Sequence, residues 1–317
     1  MKKIKINYVI LLSVSLLLIA ITTFGWKNNQ KVNLSSNIKV ENTLKDYTKA
    51  FVDFGPRNIK NYENLTRSTN YIQNEFSKLG YNIEINNFDM DGKSLVNIQA
   101  NKKNSIDNNK PKIIIGAHYN TGKYSSANGD ATPIAALLTL AELVKENPNY
   151  NIEFVAFVNK RIPYMNSKEF GSNEYVKLIN KNKQNIKGVI ILDSLGFFNN
   201  NILSQRYPII GPSMGTRGNF IAFNGNNQSK DFSNKLSKLF NEGSNVPLVS
   251  QCEITLGRKA SGINSFWKEN YPAILISDTG MLRNLNIYNN DDKIEKINFE
   301  YMSNVINGLG KALNNFK

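Results

Sequence analysis

One histidine and one cysteine in 317 residues bound the chemistry open to this chain. His118 is the only imidazole and Cys252 the only thiol. Sites needing two imidazoles are excluded, as are a disulfide framework and a thiolate zinc centre, which needs several cysteines. Cys252 lies between Gln251 and Glu253, with nothing nearby to mark it as a nucleophile, and reads as an ordinary structural thiol. Gly211-Pro-Ser213-Met-Gly215 fits the Gly-x-Ser-x-Gly spacing of a serine hydrolase. In that fold the histidine follows the nucleophile; none follows Ser213, so the segment reads as a turn. Gly122-Lys123 lacks the earlier glycine of a phosphate loop. What remains is His118, a few carboxylates and the adjacent cations Lys160 and Arg161. Read on its own, a lone histidine is a hydrogen-bonded core residue rather than a ligand.

These residues need elements to hold them, and the sequence alternates helix and strand. Residues 41–54 read as a helix ending near Gly55-Pro56, and residues 63–79 as one with Leu65, Ile72, Phe76 and Leu79 on a single face, stopped by Gly80. Strands are expected over 81–88, 95–100, 112–115, 152–158, 189–192, 220–223 and 273–276. A polar turn is expected over 101–112. Helices are expected from Thr132, with Pro133 at its first position, and over 171–179, 229–240 and 299–313. Such alternation predicts an α/β fold: a mostly parallel central sheet flanked by helices. In open sheets of this kind, sites form beyond the carboxyl ends of the strands. His118, Asn159-Lys160-Arg161, Asp193 and the Asp278-Thr-Gly280 turn all follow strands, so their loops should converge on one crevice.

Several ordered motifs carry a resemblance. They are Gly116-Ala-His118-Tyr-Asn120, Ala127-Asn128-Gly129-Asp130-Ala131-Thr132, Phe154-Val-Ala-Phe-Val-Asn159, Gly171-Ser172 and Tyr271-Pro-Ala-Ile-Leu-Ile-Ser-Asp278-Thr. From about residue 41 onward the chain resembles the co-catalytic zinc aminopeptidases of metallopeptidase family 28, a fold of the zinc aminopeptidase and phosphorylase-hydrolase kind. Active members hold two zinc ions bridged by one carboxylate, with a glutamate as general base for a metal-bound water. The resemblance puts His118 and Asp193 at two ligands of one metal. Gly129 stands at the bridging carboxylate, Lys160 at the base, Arg161 at the neighbouring ligand, Tyr288 at the other metal's histidine and Asn120 at an aspartate behind His118. One metal thus retains two of three ligands and the other none. Asp130, one position from Gly129, could complete a single-zinc site with His118 and Asp193, but Lys160 and Arg161 would oppose a dication and arginine cannot act as a base. The expectation is a degenerate, inactive member with no metal and no catalytic residue. Its crevice would be lined by His118, Asn120, Asp130, Lys160, Arg161, Asp193 and Tyr288. Lys160 and Arg161 either replace the metals as counter-charges to Asp130 and Asp193 or have drifted and point to solvent. The alternative is an aminopeptidase with an unusual one-zinc site.

The formal charge is +14. The lysines are spread along the chain and no nucleic-acid motif accompanies them, so the basic surface reads as compositional, with no nucleic-acid partner expected. Binding to a wall polymer or lipid surface through that charge would collapse with added salt. Lys2, Lys3 and Lys5 precede an uncharged run over residues 6–26, long enough to span a bilayer as a helix and ending on Trp26. No convincing cleavage site follows. Residues 1–26 are therefore expected to be a single-pass signal anchor, 27–40 a polar tether and 41–317 an extracytoplasmic domain. A peptide or another envelope protein is the expected partner.

Overall fold

The computed structural model describes residues 37–102, 110–158, 171–206, 216–251 and 262–317. The expected anchor, most of the tether, Lys160, Arg161, Ser213 and Cys252 lie outside the described residues. No described helix is long and apolar enough to cross a membrane.

Strands β1 (Tyr81–Met90), β2 (Lys93–Lys102), β3 (Lys112–His118), β4 (Asn151–Phe157), β5 (Ile186–Leu192), β6 (Ile221–Asn224), β7 (Leu248–Gln251) and β8 (Ala273–Ser277) form one sheet. Their order is β1-β2-β4-β3-β5-β8-β6-β7. The sheet is mixed: its centre and the β6–β7 pair are parallel, and the other pairs are antiparallel. β4, β3, β5 and β8 run parallel. The hairpin β1–β2 joins one side antiparallel through β2–β4, and β6 joins the other antiparallel to β8. The reason is local: Asp91-Gly92, both at positive φ, turn the chain straight back after β1, so no crossover helix separates the first two strands.

The central strands alternate between two apolar layers. Ile113, Ile115 and Ala117 of β3, Ile190 and Leu192 of β5, and Ile274 and Ile276 of β8 face one core. Ile114, Val155, Phe157, Val189, Ile191 and Leu275 face the other. This period of two with both faces covered is what a buried parallel strand requires. The first layer is covered by α1 (Ile38–Asp53), α2 (Tyr62–Lys78), α3 (Thr132–Leu143), α5 (Lys230–Gly243) and α7 (Phe299–Asn314), and the second by α4 (Gly171–Lys181) and α6 (Ile263–Lys268). α3 is buried around nearly its whole circumference, which explains its almost unbroken apolar sequence.

α1 begins at Ile38, ahead of the expected residue 41, because the Asn37 side chain caps it by accepting from the Val40 amide at 3.3 Å. β3 runs through Gly116 and Ala117 to His118 instead of ending at Ile115. Gly116 leaves room for the Phe157 ring, whose Cε2 lies 2.3 Å from where a Cβ would stand.

Candidate active-site crevice

The parallel strands deliver the expected residues to one edge. His118 ends β3, opposite Phe157 of β4. Asp193 follows β5 and its amide donates to the Ile276 carbonyl at 3.0 Å. Asp278 follows β8 and its amide donates to the Ser194 carbonyl at 2.8 Å. Gly129 and Asp130 lie in a π-helical turn, Ala127–Ala131, that leads into α3. His118, Asn120, Asp130 and Asp193 are all buried, with 6% or less of their surface exposed.

The closest functional contact joins His118 to this turn. Its Nε2 is 3.1 Å from Asp130 Oδ1 and 3.1 Å from the Gly129 carbonyl oxygen. Tyr288, half-buried and held at φ +77°, lays its ring against Gly129. A Cβ on Gly129 would stand 2.2 and 2.3 Å from Tyr288 Cε1 and Cδ1 and 2.6 Å from Ser126 Oγ. The structure therefore brings His118, Gly129, Asp130 and Tyr288 together, and sets Asp193 at the end of the neighbouring strand.

Three buried ionic groups hold the crevice loops; the sequence placed the Asp278 turn at the crevice but pointed to neither Asp292 nor Arg57. Asp292 accepts from Ser126 Oγ and, at 3.0 Å, from the Gly129 amide, while its own carbonyl accepts from the Ala127 amide at 3.0 Å. It thus pins the segment carrying Tyr288 to the turn carrying Gly129. Burial pushes its carboxyl up, opposed by the Ser126 hydroxyl and the Gly129 and Asn128 amides and reinforced by Asp130. Asp278 accepts from Asn128 Nδ2 at 2.9 Å, the Phe197 amide at 2.8 Å and the Gly280 amide at 2.8 Å, binding the loops after β5 and β8 to the same turn. Arg57, fully buried, donates to the carbonyls of Tyr119 at 2.8 Å, Gly55 at 3.2 Å and Asp130 at 3.4 Å, and to that of Phe51. A buried guanidinium spends its donors on carbonyls that would otherwise go unsatisfied. Gly55-Pro56 was legible only as a helix end. The one cue to Arg57 was a charged residue directly after that stop.

A co-catalytic zinc pair does not fit these residues. Gly129 has no side chain, and the Tyr288 ring takes the volume into which one would project. Among the described residues, no three His, Cys, Asp or Glu side chains gather as metal ligands.

The fold is a helix-covered α/β sheet with a parallel centre, and His118, Asp193 and Asp278 lie at the carboxyl edge of its central strands. The family model of peptidase family M28 matches residues 96–311, and the chain belongs to that family. A curated relative, YfbL of Escherichia coli (strain K12), described as uncharacterized, is 28% identical over 278 residues, covering 83% of this chain and 84% of its own. Solved structures share the fold at low identity. The Legionella pneumophila LapA aminopeptidase superposes with a TM-score of 0.66 at 18% identity, covering 90% of this chain and 76% of that one. A leucine aminopeptidase precursor from Bacteroides thetaiotaomicron gives 0.67 at 18% identity, with 90% and 100% covered. A glutaminyl cyclase from the same organism, bound to N-acetylhistamine, gives 0.64 at 18% identity, again with 90% and 100% covered.

Proposed function

We propose that this chain is a membrane-anchored, extracytoplasmic family member that binds a peptide or an envelope protein through its crevice and does not hydrolyse it. The observation that carries this reading is the contact of His118 Nε2 with Asp130 and the Gly129 carbonyl. The only imidazole is engaged by the protein itself, beside a bridging position that has no side chain. The sequence adds that Lys160 and Arg161 stand where the resemblance expects a base and a ligand. A metal hydrolase needs both an electrophile and a base, and both positions are altered. The family fold does not by itself imply hydrolysis, since a glutaminyl cyclase shares it. In this reading Lys160 and Arg161 take over the counter-charge role of the metals toward Asp130 and Asp193.

The same contact is what the one-zinc alternative rests on, since His118 and Asp130 lie side by side, although no third ligand gathers with them among the described residues. Elemental analysis of the purified chain, after zinc exposure and desalting, separates the two. The binding reading expects no stoichiometric zinc and no release of amino acids from aminopeptidase substrates. About one zinc per chain, lost in His118→Ala or Asp193→Ala, would overturn it.

A further inference from the structure

We propose that Gly129 and Tyr288 form one reciprocal packing unit, in which the phenol ring replaces the side chain missing at position 129. The proposal deepens the non-hydrolytic reading and takes its meaning from it, but its test does not depend on it. Three observations converge.

The first is steric. A Cβ on Gly129 would lie 2.2 Å from Tyr288 Cε1 and 2.3 Å from Cδ1, distances no side chain tolerates. The second concerns the backbone. Gly129 is absent from the glycines at positive φ, so its conformation is open to any residue. Glycine is required there by what packs on it. The third lies on the partner. Tyr288 sits at φ +77°, a region that is costly for a bulky side chain. Asp292, four residues on, fastens this segment to the Gly129 amide and to Ser126. Backbone strain at 288 and a missing side chain at 129 are thus the two halves of one arrangement. Restoring a carboxylate at 129 alone would drive it into the ring. Loss of the bridging position is therefore built into the packing and cannot be reversed by a single substitution.

The test is a double-mutant cycle read by thermal unfolding of the whole chain: wild type, Gly129→Ala, Tyr288→Ala and the pair. With an unstrained backbone, Gly129→Ala should be neutral or slightly stabilising if nothing opposed it. Against the ring it should lower the Tm by about 5 °C. In the Tyr288→Ala background the loss should fall to less than half, the remainder coming from Ser126 Oγ. If Gly129→Ala fails to fold, recovery of a folded chain in the pair shows the same coupling. Equal losses in both backgrounds, or a tolerated Gly129→Ala in the wild type, would overturn the proposal. Stoichiometric zinc in the wild-type chain would sink the non-hydrolytic reading while leaving the cycle's result intact.

Discussion

Asp278 shows how a single buried residue can set the response of this fold to pH. It is fully buried, and burial pushes its carboxyl up to about 6, against the opposing pull of Arg283, the Phe197 and Gly280 amides and the Asn128 side chain. In the unfolded chain the same group titrates near its ordinary value of 3.8. Between those two values the native state binds more protons than the unfolded state, so Asp278 adds stability as pH falls through the window and withdraws it as pH rises. The full effect is roughly 3 kcal/mol. Asp278→Asn cannot titrate, and its amide group would face donors that both carboxylate oxygens now accept. The stability difference between wild type and Asp278→Asn should therefore widen as the pH of a denaturation series drops from above 6 towards 4. A difference that stays flat would remove Asp278 from the account. Residues of this kind also mark where the sequence stops being readable. His118 could be picked out because it ends a strand inside a recognisable motif, and Asp193 because it directly follows an apolar strand. Asp292 and Arg57 act through partners far along the chain, such as the Gly129 amide and the Asp130 carbonyl. No local pattern records such pairings.

At the scale of elements, the strands of the sheet's centre were legible because they are continuous apolar runs stopped by glycine or polar residues, and α3 because Pro133 opens it. Two short pieces were not, although β6, also four residues, was. β7 is four residues at the sheet's edge, and α6 is six residues entered through Gly262 at φ +80°. β7 reads Leu-Val-Ser-Gln, without the continuous apolar run that marks β6, and α6 is too short to show a helical period. The antiparallel margins were missed because strand direction follows from connection geometry rather than from the strand's own composition. Helix docking was hidden for a related reason. Gly188 on β5 looks like any strand glycine, yet a Cβ there would lie 2.4 Å from Phe232 Cε2 of α5. Gly188→Ala should force that ring aside and cost about 1–3 kcal/mol, measured by chemical denaturation. If Phe232→Ala removes the penalty, the ring is its source; if the penalty persists, the strand itself is.

For the molecule as a whole, the charge of +14 and the apolar run near the N-terminus make separate predictions. In fractionated cells the full chain should partition with membranes and resist extraction by high salt, while a version lacking residues 1–36 should not. Release of the full chain by salt alone would mean that surface charge, rather than an inserted helix, holds it there.

The helix that completes the main apolar layer is α7, which buries Phe299, Met302, Val305, Ile306 and Leu309 and packs between α1, α3 and α5. Just beyond it, Phe316 is almost fully buried and its carbonyl accepts from Asn147 Nδ2 at 2.9 Å. A ribosome therefore supplies this piece of the layer only after every strand of the sheet that it covers has been made. Until then α1 and α3 have an open seam, and the nascent polypeptide exposes apolar surface that favours aggregation until α7 has emerged.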